Sequence, residues 1–227
     1  MNLTPQQKSI CQHIVNVFET GSIEGDYGAI SIFADGPHGE RQVTYGRSQT
    51  TELGNLEELV QMYVDSHGMF SEPLRPFVAK IGAEPLVDND QFKKLLKDAG
   101  KNDPVMRQVQ DVFFDKRYFQ PAMEWADGHG FTLPLSALVI YDSQVHSGGI
   151  LGFLRKRFAG KVPSNGGAEK VWIKQYVDTR QQWLATHSNT ILRKTIYRTE
   201  CFTREMDRNN WELSQLPIDA HGVNVTG

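Results

Sequence analysis

The stretch ETGSIEGDYGAISIFADGPHGERQVTYG, residues 19–46, changes character twice, and the rest of the chain is read from it. Upstream, Thr4-Pro5 with Gln7 three residues on is a helix start: an N-cap, proline at the first helical position and a capping-box partner. Ile10, Ile14, Val17 and Phe18 then recur at helical spacing, and the helix should end near Thr20-Gly21. Glu19 therefore falls in the last turn and faces the negative end of the helix dipole, an unusual place for a merely solvated carboxylate. Ala29–Phe33 and Arg41–Tyr45 are β-rich runs, separated by the dense turn signal Asp35-Gly36-Pro37-His38-Gly39. This reads as a β-hairpin with a long turn, with Asp35 where the first strand ends.

From Ser48 onward the pattern is helical nearly to the end. Helices are predicted over 51–67, 71–80, 90–99, 103–124, 133–147, 149–158, 167–186 and 198–208, with glycine-marked breaks between them. Leu133, Leu135, Leu138, Val139 and Ile140 form an almost wholly apolar run, shorter than the roughly 18 residues of a membrane span, and read as the central buried helix. The fold class is α+β, mostly helical, and residues 1–227 are expected to form one catalytic domain. The polar tail from about residue 219 is expected to fray.

Composition bounds the function. With 24 Lys+Arg against 27 Asp+Glu the formal net charge is −3, which argues against nucleic acid, since phosphate binding shows as a basic excess or patch. No stretch spans a membrane, and the N-terminus lacks the charged and apolar segments of a secretory signal. The compartment is left open between the cytoplasm, a non-classical export route and a mature secreted form. Cys11 and Cys201 cannot build a disulfide scaffold and lack zinc-site spacing; whether they bond is open. No metal or cofactor motif is present in the sequence, no cofactor is expected, and a monomer is assumed.

Glu19 and Asp35 stand sixteen residues apart, one closing a helix and one on a hairpin. Hydrolysis of a glycosidic bond needs such a pair: one carboxylic acid protonates the leaving oxygen, and the other, ionised, activates water or attacks. Glu19 beside apolar Phe18 suits the acid, and Asp35 in a polar turn suits the ionised partner. The alternative is two surface charges in a turn-rich segment.

The order Glu19, Tyr27, seven residues, Asp35-Gly36, then Thr44-Tyr45-Gly46 resembles the motif of family 46 glycoside hydrolases, chitosanases of the lysozyme-like superfamily. Leu138–Gly148 is similar to that family's buried helix, which carries an Asp and ends in His-Gly. Val177-Asp178-Thr179-Arg180 resembles its Asp-x-Arg segment, Tyr197-Arg198-Thr199 and Arg204 its two arginines, and Asn209–Leu213 its closing motif. The resemblance covers about residues 10–217. Two departures stand out: Thr20 replaces an Asn, Asp or Gln after Glu19, and the turn after Asp35 is longer.

The resemblance implies a lysozyme-like fold with two helical lobes flanking a cleft, and an endo-acting, inverting hydrolase with Glu19 as acid and Asp35 as base. Thr44 would hold the attacking water; its alternative is a strand-forming residue. Asp142, in an apolar helix, requires partners, and the resemblance supplies Arg180 and Arg198. Such a network is expected to keep Asp35 ionised, or else to be an ordinary interhelical salt bridge. Tyr27, Arg47, Glu24, Glu40 and His146 are the candidate substrate contacts, with Asp26 and Glu52 as further acids near the catalytic segment. His146 has the alternative of capping its helix. Chitosan stands first as substrate, because the resemblance implies it and the chain is mildly acidic, and the subsites of a polycationic glycan need carboxylates. Peptidoglycan stands second, and a catalytically inactive glycan-binding domain is the third reading.

Overall fold

The computed structural model describes residues 1–47 and 49–227; Ser48, where the helical pattern was read as beginning, lies outside them. The chain forms two compact units, Met1–Ile23 with Lys116–Gly227, and Glu24–Asp115.

The first unit is built around helix α7, Pro134–Ser147, in which every residue from Pro134 to Ser143 is buried. Proline at its first turn and Gly148 at φ 71 past its end delimit it. Its entry is also held from outside, because Glu169 in the first turn of α9 (Glu169–Ala185) accepts hydrogen bonds from the backbone N–H groups of Thr132 and Leu133 at 3.0 and 2.8 Å. Helices α1 (Pro5–Thr20), α6 (Gln120–Gly128), α9 and α11 (Tyr197–Asp207) pack on α7. Helix α1 has the expected capping box: Thr4 Oγ1 accepts from Gln7 N–H at 3.2 Å and Gln7 Oε1 from Thr4 N–H at 2.9 Å. It stops at Gly21, φ 72, whose N–H donates to the Val17 carbonyl at 2.8 Å. Cys11 and Cys201 are both buried and both free, and burial pushes each thiol up to about 12. Trp172 is fully buried among aromatic neighbours, as core packing requires.

The second unit contains a three-stranded antiparallel sheet in the order β1 (Ile30–Ala34), β2 (Arg41–Tyr45), β3 (Thr50–Thr51), with helices α2 (Leu56–Asp65), α3 (Ser71–Val78), α4 (Asp90–Asn102) and α5 (Pro104–Phe114). Ile30 pairs with Tyr45 and Ala34 with Arg41, so the hairpin register leaves Asp35–Glu40 as the turn. Strand β2 alternates: Val43 and Tyr45 are fully buried in the core, and the Tyr45 hydroxyl donates to the Leu96 carbonyl at 2.7 Å. Gln42 and Thr44 necessarily face the other way.

Four expectations are corrected. The helix read from residue 51 begins at Leu56, because β-branched Thr50 and Thr51 add a third strand opposite Thr44 and Tyr45. The helix read over 103–124 is α5 and α6 joined by a π-helical turn, Asp115–Phe119. The helix read over 149–158 shrinks to α8, Gly152–Arg155, since Gly148 and Gly149 both adopt positive φ. The tail expected to fray is a hairpin, β4 (Ile218–Ala220) with β5 (Val223–Val225), which buries Ile218, Ala220 and Val225. Its alternation of apolar and polar residues is strand-like, whereas its shortness and polarity suggested fraying. Removal of residues 218–227 is expected to lower the thermal midpoint by about 10 °C, from roughly 4 kcal/mol of lost apolar burial. A fraying tail would leave the melting curve where it is.

Candidate active site

Glu19 sits in the last turn of α1 at 15% side-chain exposure. Arg198 Nη2 donates to its Oε1 at 2.5 Å, while Arg198 Nη1 donates to Asp142 Oδ1 at 2.6 Å. Arg180 Nη1 completes the chain to Asp142 Oδ2 at 2.7 Å. Asp142 is fully buried on α7, Arg180 comes from α9 and Arg198 from α11, so one carboxylate ties three helices together and the fourth, α1, is reached through Glu19. Burial alone would push the Asp142 carboxyl up; the facing Arg180 and Arg198 guanidiniums overcome that and hold it below its ordinary value. For Arg198, burial opposes the charge, but Glu19 and Asp142 outweigh it and hold the guanidinium above its usual range.

The carboxylate this network engages is Glu19, whereas the sequence reading assigned it to Asp35. The α1 terminus is held further by Tyr197, whose hydroxyl donates to the Phe18 carbonyl at 2.9 Å, a contact the sequence reading missed. Thr20, the departure from the family pattern, donates from Oγ1 to the Asn16 carbonyl at 2.9 Å and so serves its own helix end.

His146 stands in the last turn of α7 with its Nδ1 3.2 Å from Ser147 Oγ, and the backbone C-cap is Gly148, whose N–H donates to the Gln144 carbonyl. Burial lowers its pKa first, the positive Arg198 and Arg180 lower it further, and Asp142 opposes them only partly; it titrates at about 3. The imidazole is therefore neutral near pH 7.

In the second unit, Asp35 is exposed at the end of β1, and its Oδ1 accepts from Gln42 Nε2 at 2.8 Å. Thr44 is buried on the same strand face as Gln42, and its Oγ1 has no protein partner among the described residues. Glu52 is not a subsite acid. It is 3% exposed and clamps two backbone N–H groups, Val43 at 3.0 Å and Leu86 at 2.6 Å.

Arg47 also departs from expectation. It is 5% exposed, ion-paired with Asp111 and packed over the rings of Phe114 and Tyr27, so it is a structural pin. The Tyr27 hydroxyl donates to the same Asp111 Oδ1 at 2.8 Å. Glu24 and Asp26 are exposed and, with Tyr27, Lys101 and Arg107, line a cavity of about 480 Å³. Glu40 is exposed in the hairpin turn, where it accepts from His38 N–H at 2.8 Å. Among the described residues no group of three or more His, Cys, Asp or Glu is placed to hold a metal ion, and no helix is long and apolar enough to cross a membrane.

This α+β architecture, mostly helical with a small antiparallel sheet, is the lysozyme-like fold of a glycoside hydrolase. The chain belongs to glycosyl hydrolase family 46, whose model matches residues 13–218. It is 26% identical over 230 residues to a chitosanase of Bacillus subtilis strain 168, covering 93% of this chain and 81% of that one. It is 28% identical over 196 residues to a chitosanase of Streptomyces sp. strain N174, covering 81% and 69%. The structure of a family 46 chitosanase of Gynuella sunshinyii in complex with chitotetraose superposes with a TM-score of 0.83 at 27% identity, over 99% of this chain and 98% of that one.

Two outcomes test the network. Asp142→Asn leaves two buried guanidiniums without their shared anion and is expected to destabilise the fold by about 3–5 kcal/mol, read by denaturant unfolding. For His146, the unfolded chain takes up a proton near 6.5 but the folded protein only near 3, so stability falls as pH drops through that window. His146→Gln should flatten the dependence of the thermal midpoint on pH between about 6 and 4.

Proposed function

We propose that the protein is an endo-acting, inverting hydrolase of β-1,4-linked glucosamine polymers, with Glu19 as general acid and Asp35 as general base. The observation that carries this reading is the contrast between the two carboxylates. Glu19 is largely enclosed and touches a permanent cation, whereas Asp35 is exposed and accepts from a neutral amide. Both belong to a chain whose curated relatives are chitosanases.

In the reaction, Glu19 gives its proton to the glycosidic oxygen as the C1–O bond breaks. A carboxylate appears on Glu19 at that moment, and Arg198 Nη2 is already in place to stabilise it. A water oxygen attacks C1 from the opposite face and its proton passes to Asp35, so each cycle moves one proton onto the leaving group and one onto the base. The unpartnered Thr44 Oγ1 suits it to hold that water. The sugar amines of chitosan are cationic, and the exposed acids Glu24, Asp26 and Glu40 suit them as contacts.

Glu19→Gln and Asp35→Asn are each expected to lower turnover on chitosan by at least about a thousandfold with the fold intact by circular dichroism, the scale set by losing one proton-transfer group and its charge. Nuclear magnetic resonance of the first products should show the α-anomer released from a β-linkage; a β-anomer would mean retention. Near wild-type turnover in either variant sinks its assignment. Clearing of a cell-wall suspension with no reducing sugar from chitosan would make peptidoglycan the substrate, and activity on neither would indicate a glycan-binding domain.

A further inference from the structure

We infer that Gln42 is the positioning residue of Asp35, an inference that rests on Asp35 acting as the base. Gln42 is 4% exposed on the central strand β2, two residues before Thr44 and on the same face. Both ends of its amide are committed. Its Oε1 accepts from the Leu53 backbone N–H at 3.0 Å, which fixes Nε2 as the end turned to Asp35 Oδ1 at 2.8 Å. An –NH₂ group can only donate, so this contact occupies Oδ1 and leaves Oδ2 as the oxygen that takes the proton from water.

The anchor is itself rigid. Leu53 follows Glu52, whose carboxylate is locked to the Val43 and Leu86 backbones. The Leu53 side chain lies where a Cβ on Gly36, the residue after Asp35, would meet its Cδ1 at 2.9 Å. The base therefore stands at the end of a strand with one oxygen held by a buried amide, while the rest of the side chain is in solvent. A freely rotating exposed carboxylate would spend much of its time out of line with the water, and one fixed hydrogen bond removes that freedom.

The test is a double-mutant cycle on glucosamine hexamer, reading kcat, KM and the thermal midpoint. Gln42→Met removes both polar ends at nearly constant volume. Gln42→Glu keeps an acceptor for Leu53 N–H and loses the donor. Each is expected to lower kcat by about tenfold or more with KM within about twofold, and Gln42→Met should add less than about twofold to the loss already present in Asp35→Ala, where nothing is left to position. An equal factor in both backgrounds, a loss confined to KM, or near wild-type kcat in Gln42→Glu overturns the inference. If Gln42→Met fails to fold, Gln42→Glu, which keeps the anchor, decides alone. Wild-type turnover in Asp35→Ala removes the base assignment and the inference with it, whereas an inactive Asp35→Ala beside fully active Gln42 variants defeats the inference only.

Discussion

Asp142 carries a charge into the centre of α7, where no water can solvate it, and the arrangement of the first unit follows from neutralising it. A lone buried carboxylate costs many kcal/mol, so Arg180 from α9 and Arg198 from α11 must both reach inward and the three helices are fixed in register. The two arginines bring one positive charge more than Asp142 cancels. Glu19 takes up the surplus through Arg198, which is why a carboxylate stands at the end of α1 with its side chain largely enclosed. One guanidinium thus serves both carboxylates, with Nη1 on Asp142 and Nη2 on Glu19 and the Phe18 carbonyl.

In the second unit the governing constraint is the two-residue period of β2. Val43 and Tyr45 must enter the core, so Gln42 and Thr44 must face away from it together. A one-residue slip would bury Gln42 and Thr44 in the apolar core and expel the strand's largest ring. The same register that satisfies the core therefore sets the amide and the hydroxyl side by side on the strand that follows the Asp35 turn. Glu52 keeps this register by joining the β2 backbone to Leu86.

Local signals were legible where a residue's chemistry and its position agree. The capping box, Pro5, Gly21 and Gly148 mark helix ends by backbone geometry alone, and the structure places those ends as read. Asp142 announced its need for cations because nothing else in its helix is charged. The destination of the surplus charge was not legible: choosing between Glu19 and Asp35 depends on which helix face Arg198 takes in the packed unit. Arg47 and Glu52 were misread for the same reason, since an acidic or basic residue beside a catalytic segment looks alike in sequence whether it meets solvent or a buried partner. Gln42 was overlooked although a signal was present: it shares the parity of Thr44, and so the strand face of the residue expected to hold the water.

The supports of the two carboxylates differ in kind, a cation on Glu19 and a neutral amide on Asp35. If Glu19 is the acid proposed above, it becomes an anion as its proton leaves, and the fixed Arg198 guanidinium stabilises the charge formed there. A base must keep its negative charge available to a proton, and an arginine on Asp35 would compete for it. A neutral amide donor orients the oxygen at roughly half the strength of a charged contact. On the proposed assignment, Arg198 meets Glu19 where the anion forms, and Gln42 holds one oxygen of Asp35 without neutralising it.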